Sequence, residues 1–535
     1  MYQLTSVYFI CGFASIGGGL FGFDISSMSG VIGTQAYKRY FHNPISYMQG
    51  GITASMPAGS LLGSLVSSAL ADRWSRKAAL QVSCGLWIVG SAVQSAAVGV
   101  PMLCVGRAVA GVGVGVASSV VPVYQAEIAP REIRGRVVSF QQWAITWGIL
   151  IQFFIQYAAA HCISNGPDDP SQSTAAFRIP WAVQMVPAWI LLVGVAFFPH
   201  SPRWLATQDR WDEALCVLAR LHGNGDVKHP MVLAQYREIE EALRVEREEG
   251  VGSLSTLCQA RMLRRLVLGV SIQAWSQLSG MNIMMYYIVY IMKATQMGSP
   301  LLTASIQYII NVVLTLPAIM FLDKWGRRPS LVVGSLIMMA LLFVSGAVQQ
   351  YFGRHNNTEL RTPANDEVAW LIEGNRAASI VVVACSYLFV ATFATTWGPT
   401  SWAYPAEIFP GKIRTKAVGL STAGNWCANM VLAFGVPPLR ECAGECLGLG
   451  HGVLTRGCRE QCGIFINGIA FIHMFLAAHE TKGYTLEEMD DVFDSGIPPW
   501  RKRKRPSRLD ELERKIARGS ITVDTPRLRS LDSDC

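Results

Sequence analysis

Long apolar runs separated by short polar loops cover most of this chain. A helix needs about 20 predominantly apolar residues to cross the hydrocarbon core of a bilayer. On that basis we define twelve spans. Spans one to six are residues 7–31, 49–71, 78–98, 101–126, 137–160 and 179–198, and spans seven to twelve are residues 266–292, 301–322, 331–352, 377–404, 417–437 and 463–478. The last span is short for an unaided crossing.

A polar interval, residues 203–265, divides the spans into two groups of six. Its charges include Glu238, Glu240, Glu241, Arg244, Glu246, Arg247, Glu248 and Glu249. Such spacing is typical of short solvated helices. The pattern predicts an all-α, polytopic membrane protein with twelve transmembrane helices. Its parts are an N-terminal six-helix half (1–202), a cytosolic helical linker (203–265), a C-terminal six-helix half (266–493) and a basic cytosolic tail (494–535).

Composition agrees with a membrane protein rather than with several soluble domains. Of the 535 residues, 51% are hydrophobic and 15% are charged, and the mean hydropathy is +0.30. The net charge of +8 lies mainly in short loops between the spans. This placement follows membrane topology, so we expect no nucleic-acid partner.

The basic residues also predict the orientation. Clusters of Lys and Arg follow the even-numbered spans, at residues 73–77, 131–136, 324–328 and 412–416, and another lies in the tail at 501–505. By the positive-inside rule these loops face the cytosol, so both termini are cytosolic. The glycosylation sequon at Asn356 falls between spans nine and ten, on the outer side.

The loop motifs repeat. Segment 71–77 after span two matches segment 322–328 after span eight, and segment 127–134 after span four matches segment 407–414 after span ten. Each motif returns six spans later. Parallel six-helix repeats around a central site are the architecture of transporters that rock two halves against each other.

A polar stretch, Ser276 to Tyr287, interrupts the apolar run of span seven. Side-chain amides are costly in hydrocarbon unless they bind a partner or face a wet cavity, so Gln277 and Asn282 should point into the protein. Gly280 lets the backbone loosen, which is tolerated at membrane depth only inside protein or beside a cavity. The stretch therefore predicts a binding site.

These motifs together resemble those of the sugar porter family of the major facilitator superfamily. The resemblance covers roughly residues 17–493, and it rests on the loop motifs and on residues 19–24, 106–115, 134–136, 199–205, 276–287, 398–402 and 485–488. The stretch in span seven most resembles that of fungal high-affinity glucose transporters. The resemblance implies the major facilitator fold.

A sugar hydroxyl both donates and accepts hydrogen bonds, as a side-chain amide does, and an aromatic ring packs against the C–H surface of a sugar. The resemblance implies a monosaccharide site formed by Gln142, Gln277, Asn282, Asn311, Trp402 and Asn425. Such amides can instead bridge neighbouring helices.

Other polar residues near these positions have less certain roles. Tyr286, Tyr287 and Trp426 are candidates either for a gate or for packing. Ser276 stands where related porters commonly carry a glutamine. We therefore expect Gln277 and Asn282 to make most of the sugar contacts from span seven.

Asp24 in span one and Arg107 in span four are charges inside the membrane, and each is costly unless paired or hydrated. We expect them to pair. By resemblance to proton symporters, protonation of Asp24 would release Arg107 and shift the conformational equilibrium. A static pair in a uniporter is the alternative. Gln184, where some proton-coupled relatives carry a carboxylate, weighs towards that alternative.

The resemblance also implies a cytosolic gate, a network of charges that latches the two halves while the site faces outward. Its members are Asp72, Arg73, Arg76, Glu127, Arg134, Arg136, Asp323, Arg327, Arg328, Glu407 and Arg414. Charge placed for topology alone is the alternative. Three residues depart from the family pattern: Ser75 replaces Gly, His200 replaces Glu and His479 replaces Pro.

The resemblance lapses at residues 440–463, which contain Cys442, Cys446, Cys458 and Cys462. We considered a zinc site, extracellular disulfides and an insertion without family function, such as a retained intron. We expect the insertion, with a truncated span twelve and no metal.

These observations predict a monomeric plasma-membrane transporter of hexoses that works by alternating access in symport with protons. A hexose uniporter is the first alternative. A glucose sensor that does not transport is the second, although the roughly 40 residues after Asp494 are few for the tail of a sensor. We find no nucleophile–base motif and no nucleotide loop, so we expect neither enzyme activity nor a cofactor.

Overall fold

The computed structural model describes residues 6–32, 34–44, 46–162, 171–248, 259–282, 284–285, 300–355, 370–372, 375–445, 458–486, 488–494, 498–501 and 508–518. Each of the twelve predicted spans contains helix. Within the described residues, eight helical stretches are long and apolar enough to cross a membrane, judged by length and composition. The prediction of an all-α membrane fold is confirmed.

The first half forms spans one to six. Span one is interrupted at Ser15, and span six is interrupted at Gln184. The helices are Val7–Ala14, Ile16–Val31, Gln35–Tyr40, Ser46–Arg73, Arg76–Ser95, Val100–Ile128, Arg134–Val138, Phe140–Cys162, Ala175–Val183 and Met185–Val195.

Small residues allow spans two and four of this half to approach closely. A Cβ atom at Gly111 would lie 3.1 Å from the Ser60 backbone nitrogen, and one at Gly115 would lie 2.8 Å from Ser60 Cα. Side chains larger than glycine would push the two backbones apart, as is common at helix contacts in membranes. The close contact fixes the position of Arg107 beside span two.

The linker and the second half follow. Their helices are Pro202–Thr207, Trp211–His222, Pro230–Glu248, Ala260–Leu278, Pro300–Trp325, Arg327–Phe352, Arg376–Thr395, Trp397–Ile408, Gly411–Glu445, Cys458–Ala477, Glu488–Asp494 and Arg508–Ala517. Two short strands, Gly353–His355 and Trp370–Ile372, pair antiparallel, with Gly353 opposite Ile372. They add a small ribbon at the end of span nine that the apolar pattern did not predict.

Span seven breaks where the sequence predicted it. Its first helix ends at Leu278, and Gly280 adopts a φ of +106°. This region of backbone space is open to glycine and strained for residues with a Cβ atom. Met281 and Asn282 are helical again beyond the break.

Several boundaries differ from the prediction. The helix of span seven begins at Ala260, six residues inside the predicted linker. The helix of span eleven continues to Glu445 and that of span twelve begins at Cys458, so parts of segment 440–463 are helical. The apolar part of span twelve, Gly463–Ala477, is nevertheless short.

Some predictions fall outside the described residues. These are the sequon at Asn356, the side chains of the four cysteines in segment 440–463, Tyr286 and Tyr287, and most of the basic run at 501–505.

Candidate functional site

Hydrogen bonds join three of the predicted sugar contacts in the second half. The Asn282 amide donates to Gln277 Oε1, and Gln277 Nε2 donates to Asn425 Oδ1 over 2.5 Å. All three side chains are buried. A regular helix brings together residues three or four apart. The break at Gly280 lets Gln277 and Asn282, which are five apart, meet on one side of span seven.

A second contact joins the two halves at the same site. Trp402 Nε1 in span ten donates to Gln142 Oε1 in span five over 3.1 Å. Both side chains are buried. Gln273, one turn before Gln277, donates from Nε2 to the Ser401 carbonyl over 3.0 Å and so ties span seven to span ten beside Trp402. Span seven therefore connects the cluster of Gln277, Asn282 and Asn425 with the contact between Trp402 and Gln142.

Trp426 also bridges the halves. Its Nε1 donates to Ser118 Oγ in span four over 3.1 Å, and its ring centroid lies 4.5 Å from that of Phe21 in span one. The sequence left Trp426 undecided and missed Gln273, Ser118 and Phe21. Gln273 lies four residues before Gln277, so the helical repeat could have identified it.

Several buried polar atoms on spans five, seven, eight and eleven have no hydrogen-bond partner within the described part of the protein. They are Asn311 Oδ1, Asn425 Nδ2, Gln273 Oε1 and the amide atoms of Gln141 and Asn429. Leaving a buried polar group unsatisfied costs about 1–3 kcal/mol. Each of these amide atoms can donate to or accept from a hydroxyl group.

Asp24 and Arg107 form the predicted pair. Arg107 Nη1 lies 3.1 Å from Asp24 Oδ1, and Arg107 Nη2 donates a hydrogen bond of 3.3 Å to Asp24 Oδ2. Arg107 Nε also donates to the Ile52 carbonyl in span two over 3.0 Å. Asp24 is 2% exposed and Arg107 is 1% exposed. Removing one charge from such a pair costs about 3–5 kcal/mol, because the other stays buried.

Gln184 lies apart from this pair. Its amide donates to Ser91 Oγ over 3.2 Å and to Gln94 Oε1 over 3.4 Å, both in span three. Within the described residues it therefore connects spans three and six.

The cytosolic charges repeat in matched pairs, one in each half. Arg76 binds Glu127 through two bonds of 3.0 and 3.1 Å, and Glu127 accepts from Ser201 Oγ over 2.5 Å. Arg327 binds Glu407 through two bonds of 2.7 and 3.1 Å, and Glu407 accepts from Thr481 Oγ1 over 2.6 Å. These pairs hold the parts of each half together.

Two acids of the network connect the halves. Asp72 accepts from Thr415 Oγ1 over 2.8 Å, and Asp323 Oδ2 accepts from the Arg136 backbone nitrogen over 3.0 Å. Arg134 adds a longer bond of 3.5 Å to the Tyr484 carbonyl. The halves are therefore in contact on the predicted cytosolic side.

The other predicted gate residues have different surroundings: Arg414 is buried and lines one cavity with Asp72, Arg76 and Glu127 of the first half. Arg328 donates to the Phe475 carbonyl over 3.0 Å, and Arg414 Nε donates to the Phe409 carbonyl over 3.1 Å. Arg73 is exposed.

Ser75 and His200 stand at the positions that Gly326 and Glu480 hold in the second half. In the second half Glu480 accepts from the Arg327 backbone nitrogen over 2.9 Å, and a Cβ atom at Gly326 would lie 2.9 Å from Glu480 Cδ. In the first half His200 occupies the position equivalent to Glu480. Its ring stacks on Trp204, with centroids 5.1 Å apart. Ser75 instead caps its own helix, since its Oγ accepts from the Ala78 nitrogen over 3.1 Å.

The comparisons with known proteins agree with this geometry. The family model described as Sugar (and other) transporter matches residues 10–493. The chain is 57% identical to the MFS glucose transporter mfs1 of Aspergillus flavus, over 98% of this chain and 96% of that relative. It is 42% identical to the high-affinity glucose transporter of Kluyveromyces lactis, over 93% of this chain and 87% of that protein.

A solved structure has the same fold. It is that of the MFS proton:xylose symporter XylE bound to 6-bromo-6-deoxy-D-glucose. The TM-score is 0.76 at 26% sequence identity, over 92% of this chain and all of the other. The resemblance inferred from the loop motifs is confirmed.

Proposed function

This chain belongs to the Sugar (and other) transporter family, a family of multi-pass membrane transporters and not of enzymes, and we propose that it carries a hexose across the plasma membrane in symport with a proton. It works as a monomer by alternating access, with both termini in the cytosol. The relatives named as glucose transporters support the choice of a glucose-like substrate.

The observation that carries this proposal is the group of buried amides between the halves. Gln142, Gln277, Asn282, Asn311 and Asn425 are each at most 7% exposed. Some of their donors and acceptors have no partner among the described residues. These atoms are available to bind the hydroxyl groups of a sugar. Trp402 supplies the aromatic face for the C–H surface of the ring.

The pair of Asp24 and Arg107 supports coupling to a proton. Protonation of Asp24 would remove its attraction for Arg107, which would keep its bond to the Ile52 carbonyl in span two. Spans one, two and four could then rearrange, and the contacts of Asp72 and Asp323 across the halves would break as the cytosolic side opens.

Uptake of labelled glucose in a strain without hexose carriers tests the transport. Uptake equal to that of the empty vector would refute it, and binding without uptake would favour the sensor. Gln142→Ala should weaken both exchange and net uptake, because it removes a sugar contact.

The pH of an unbuffered cell suspension tests the coupling. Addition of glucose should make the medium more alkaline, and Asp24→Asn should abolish accumulation while glucose exchange continues. Glucose uptake without a pH change, unaffected in kind by Asp24→Asn, would establish a uniporter instead.

A further inference from the structure

The last described helix, Arg508–Ala517, which we call the tail helix, packs against the linker helix Pro230–Glu248. It has 10 residues. An isolated helix shorter than about 12–15 residues is only marginally stable in water. Leu509 is only 3% exposed, while Glu511 and Lys515 on the opposite side pair in solvent at 2.7 Å. Its helical form therefore depends on docking.

The surface that receives the tail helix is formed by three parts of the protein. Asp510 pairs with Arg131, in the loop after span four of the first half. Leu509 lines one small cavity together with Ile239 of the linker helix and with Thr485, which follows span twelve. The tail helix therefore contacts the first half and the linker, and it lies beside the second half at the cavity that Leu509 and Thr485 both line.

Thr485 is fixed to the second half. Its backbone nitrogen donates to Glu488 over 2.8 Å, and its Oγ1 accepts from the Glu488 nitrogen over 3.2 Å. These bonds cap the helix Glu488–Asp494, in which Asp490 pairs with Arg265 at the start of span seven. A separation of the halves on the cytosolic side would move Thr485 away from Arg131.

We propose that the tail helix is a clamp that holds the cytosolic side closed. While it is docked, the tail helix binds the loop of Arg131 and fills the space beside Thr485 with Leu509. Opening then requires that the tail helix leave Arg131 or move away from this cavity. This role concerns the gate and does not depend on which solute the protein carries.

Hydrogen–deuterium exchange on the full-length protein in lipid nanodiscs tests the clamp. Asp510→Asn should raise the exchange rate of peptides covering residues 134–138 and 327–330 by about threefold, as expected for a partly exposed ion pair. Leu509→Asp should raise it by about tenfold or more, because it places a charge in a buried apolar position. Glu511→Gln removes an exposed charge from the same helix and should leave these rates unchanged.

Exchange of the tail helix itself shows whether each variant has undocked it. Faster exchange in residues 508–517 with no change in the two gate segments would refute the clamp. Equal effects of Glu511→Gln and Asp510→Asn would also refute it. Deletion of residues 502–535 removes the helix altogether, and unchanged gate exchange in that variant would overturn the proposal. None of these measurements uses sugar uptake, so they remain valid whether or not the proposed transport is found.

Discussion

Gly135 is the position at which one added methyl group should open the cytosolic gate. It lies in the short helix Arg134–Val138 of the first half, against the guanidinium of Arg327 in the second. A Cβ atom at Gly135 would lie 2.7 Å from Arg327 Cζ, whereas ordinary contacts begin at 3.4 Å. In Gly135→Ala, either Arg327 moves or the halves separate by at least the difference between these two distances.

Movement of Arg327 within the closed gate is expensive. Its Nη2 lies 2.7 Å from Glu407 and 2.9 Å from Asp323, and its side chain is 3% exposed. Losing a hydrogen bond to a charged group costs about 1.5–3 kcal/mol, and overpacking costs about 1–3 kcal/mol. We take about 2 kcal/mol as the destabilisation of the closed gate. At about 1.4 kcal/mol per factor of ten, the ratio of open to closed protein should rise about 30-fold.

Cysteine labelling measures this ratio. Ser67 is 1% exposed between spans two and eleven, where a Cβ atom at Gly419 would lie 3.0 Å from Ser67 Oγ. In inside-out vesicles, a membrane-impermeant maleimide should label Ser67→Cys about 30-fold faster when Gly135→Ala is present. The same proteins without Ser67→Cys provide the background.

Gly85→Ala is the matched control, because a Cβ atom there would meet nothing within 4 Å. If Gly135→Ala labels no faster than Gly85→Ala, Gly135 is not part of a gate that closes by contact between the halves.

Three further predictions concern the sugar site, the loop after span two and the linker. Gln277→Ala should raise the KM for labelled glucose about tenfold and Ser276→Ala less than about twofold; the reverse order would contradict the assigned contacts. His200→Glu should lower thermal stability while Ser75 is present, and the loss of stability should be about 1 kcal/mol smaller when Ser75→Gly is added. Strictly additive shifts in melting temperature would show that the side chains at positions 75 and 200 do not compete for the same space. Burial lowers the pKa of His222 below its ordinary value of 6.5. Below pH 6.5 the unfolded chain therefore binds a proton at His222 more readily than the folded linker does. The free energy of unfolding falls as the pH drops. The loss of thermal stability between about pH 7.5 and about pH 5.5 should therefore be smaller in His222→Gln, and an unchanged loss would assign the pH dependence to another group.

The helices, the break in span seven and the pairing of Asp24 with Arg107 were predictable because each has a strong local signal. Apolar length locates the spans, and Gly280 within a polar stretch marks the break that the structure has at a φ of +106°. Asp24 and Arg107 could be paired from the sequence because isolated charges in a membrane need partners. Their distances could not, since these depend on how spans one and four pack.

Contacts that depend on tertiary packing were not predictable in this way. The sequence listed the charges of the predicted gate but could not show which of them pair within one half, as Arg76 and Glu127 do. The tail helix, with Leu509 as its buried apolar residue, has too weak a pattern to reveal that it docks. The sequence cannot show whether Trp426 packs within the second half or connects the two halves, because a buried tryptophan suits either role. Its hydrogen bond to Ser118 in span four shows that it connects them.

Ser75 and His200 stand where Gly326 and Glu480 lie close together in the second half, and this has a consequence for how the family evolves. A glutamate at position 200 would bring the carboxylate that Glu480 supplies in the second half, and Gly326 shows that such a carboxylate leaves little space for a Cβ atom. Neither position should therefore change alone for long in a lineage. Across homologues, we expect glycine at position 75 to be inherited together with glutamate at position 200, and a larger residue at position 75 to persist only where position 200 is not acidic.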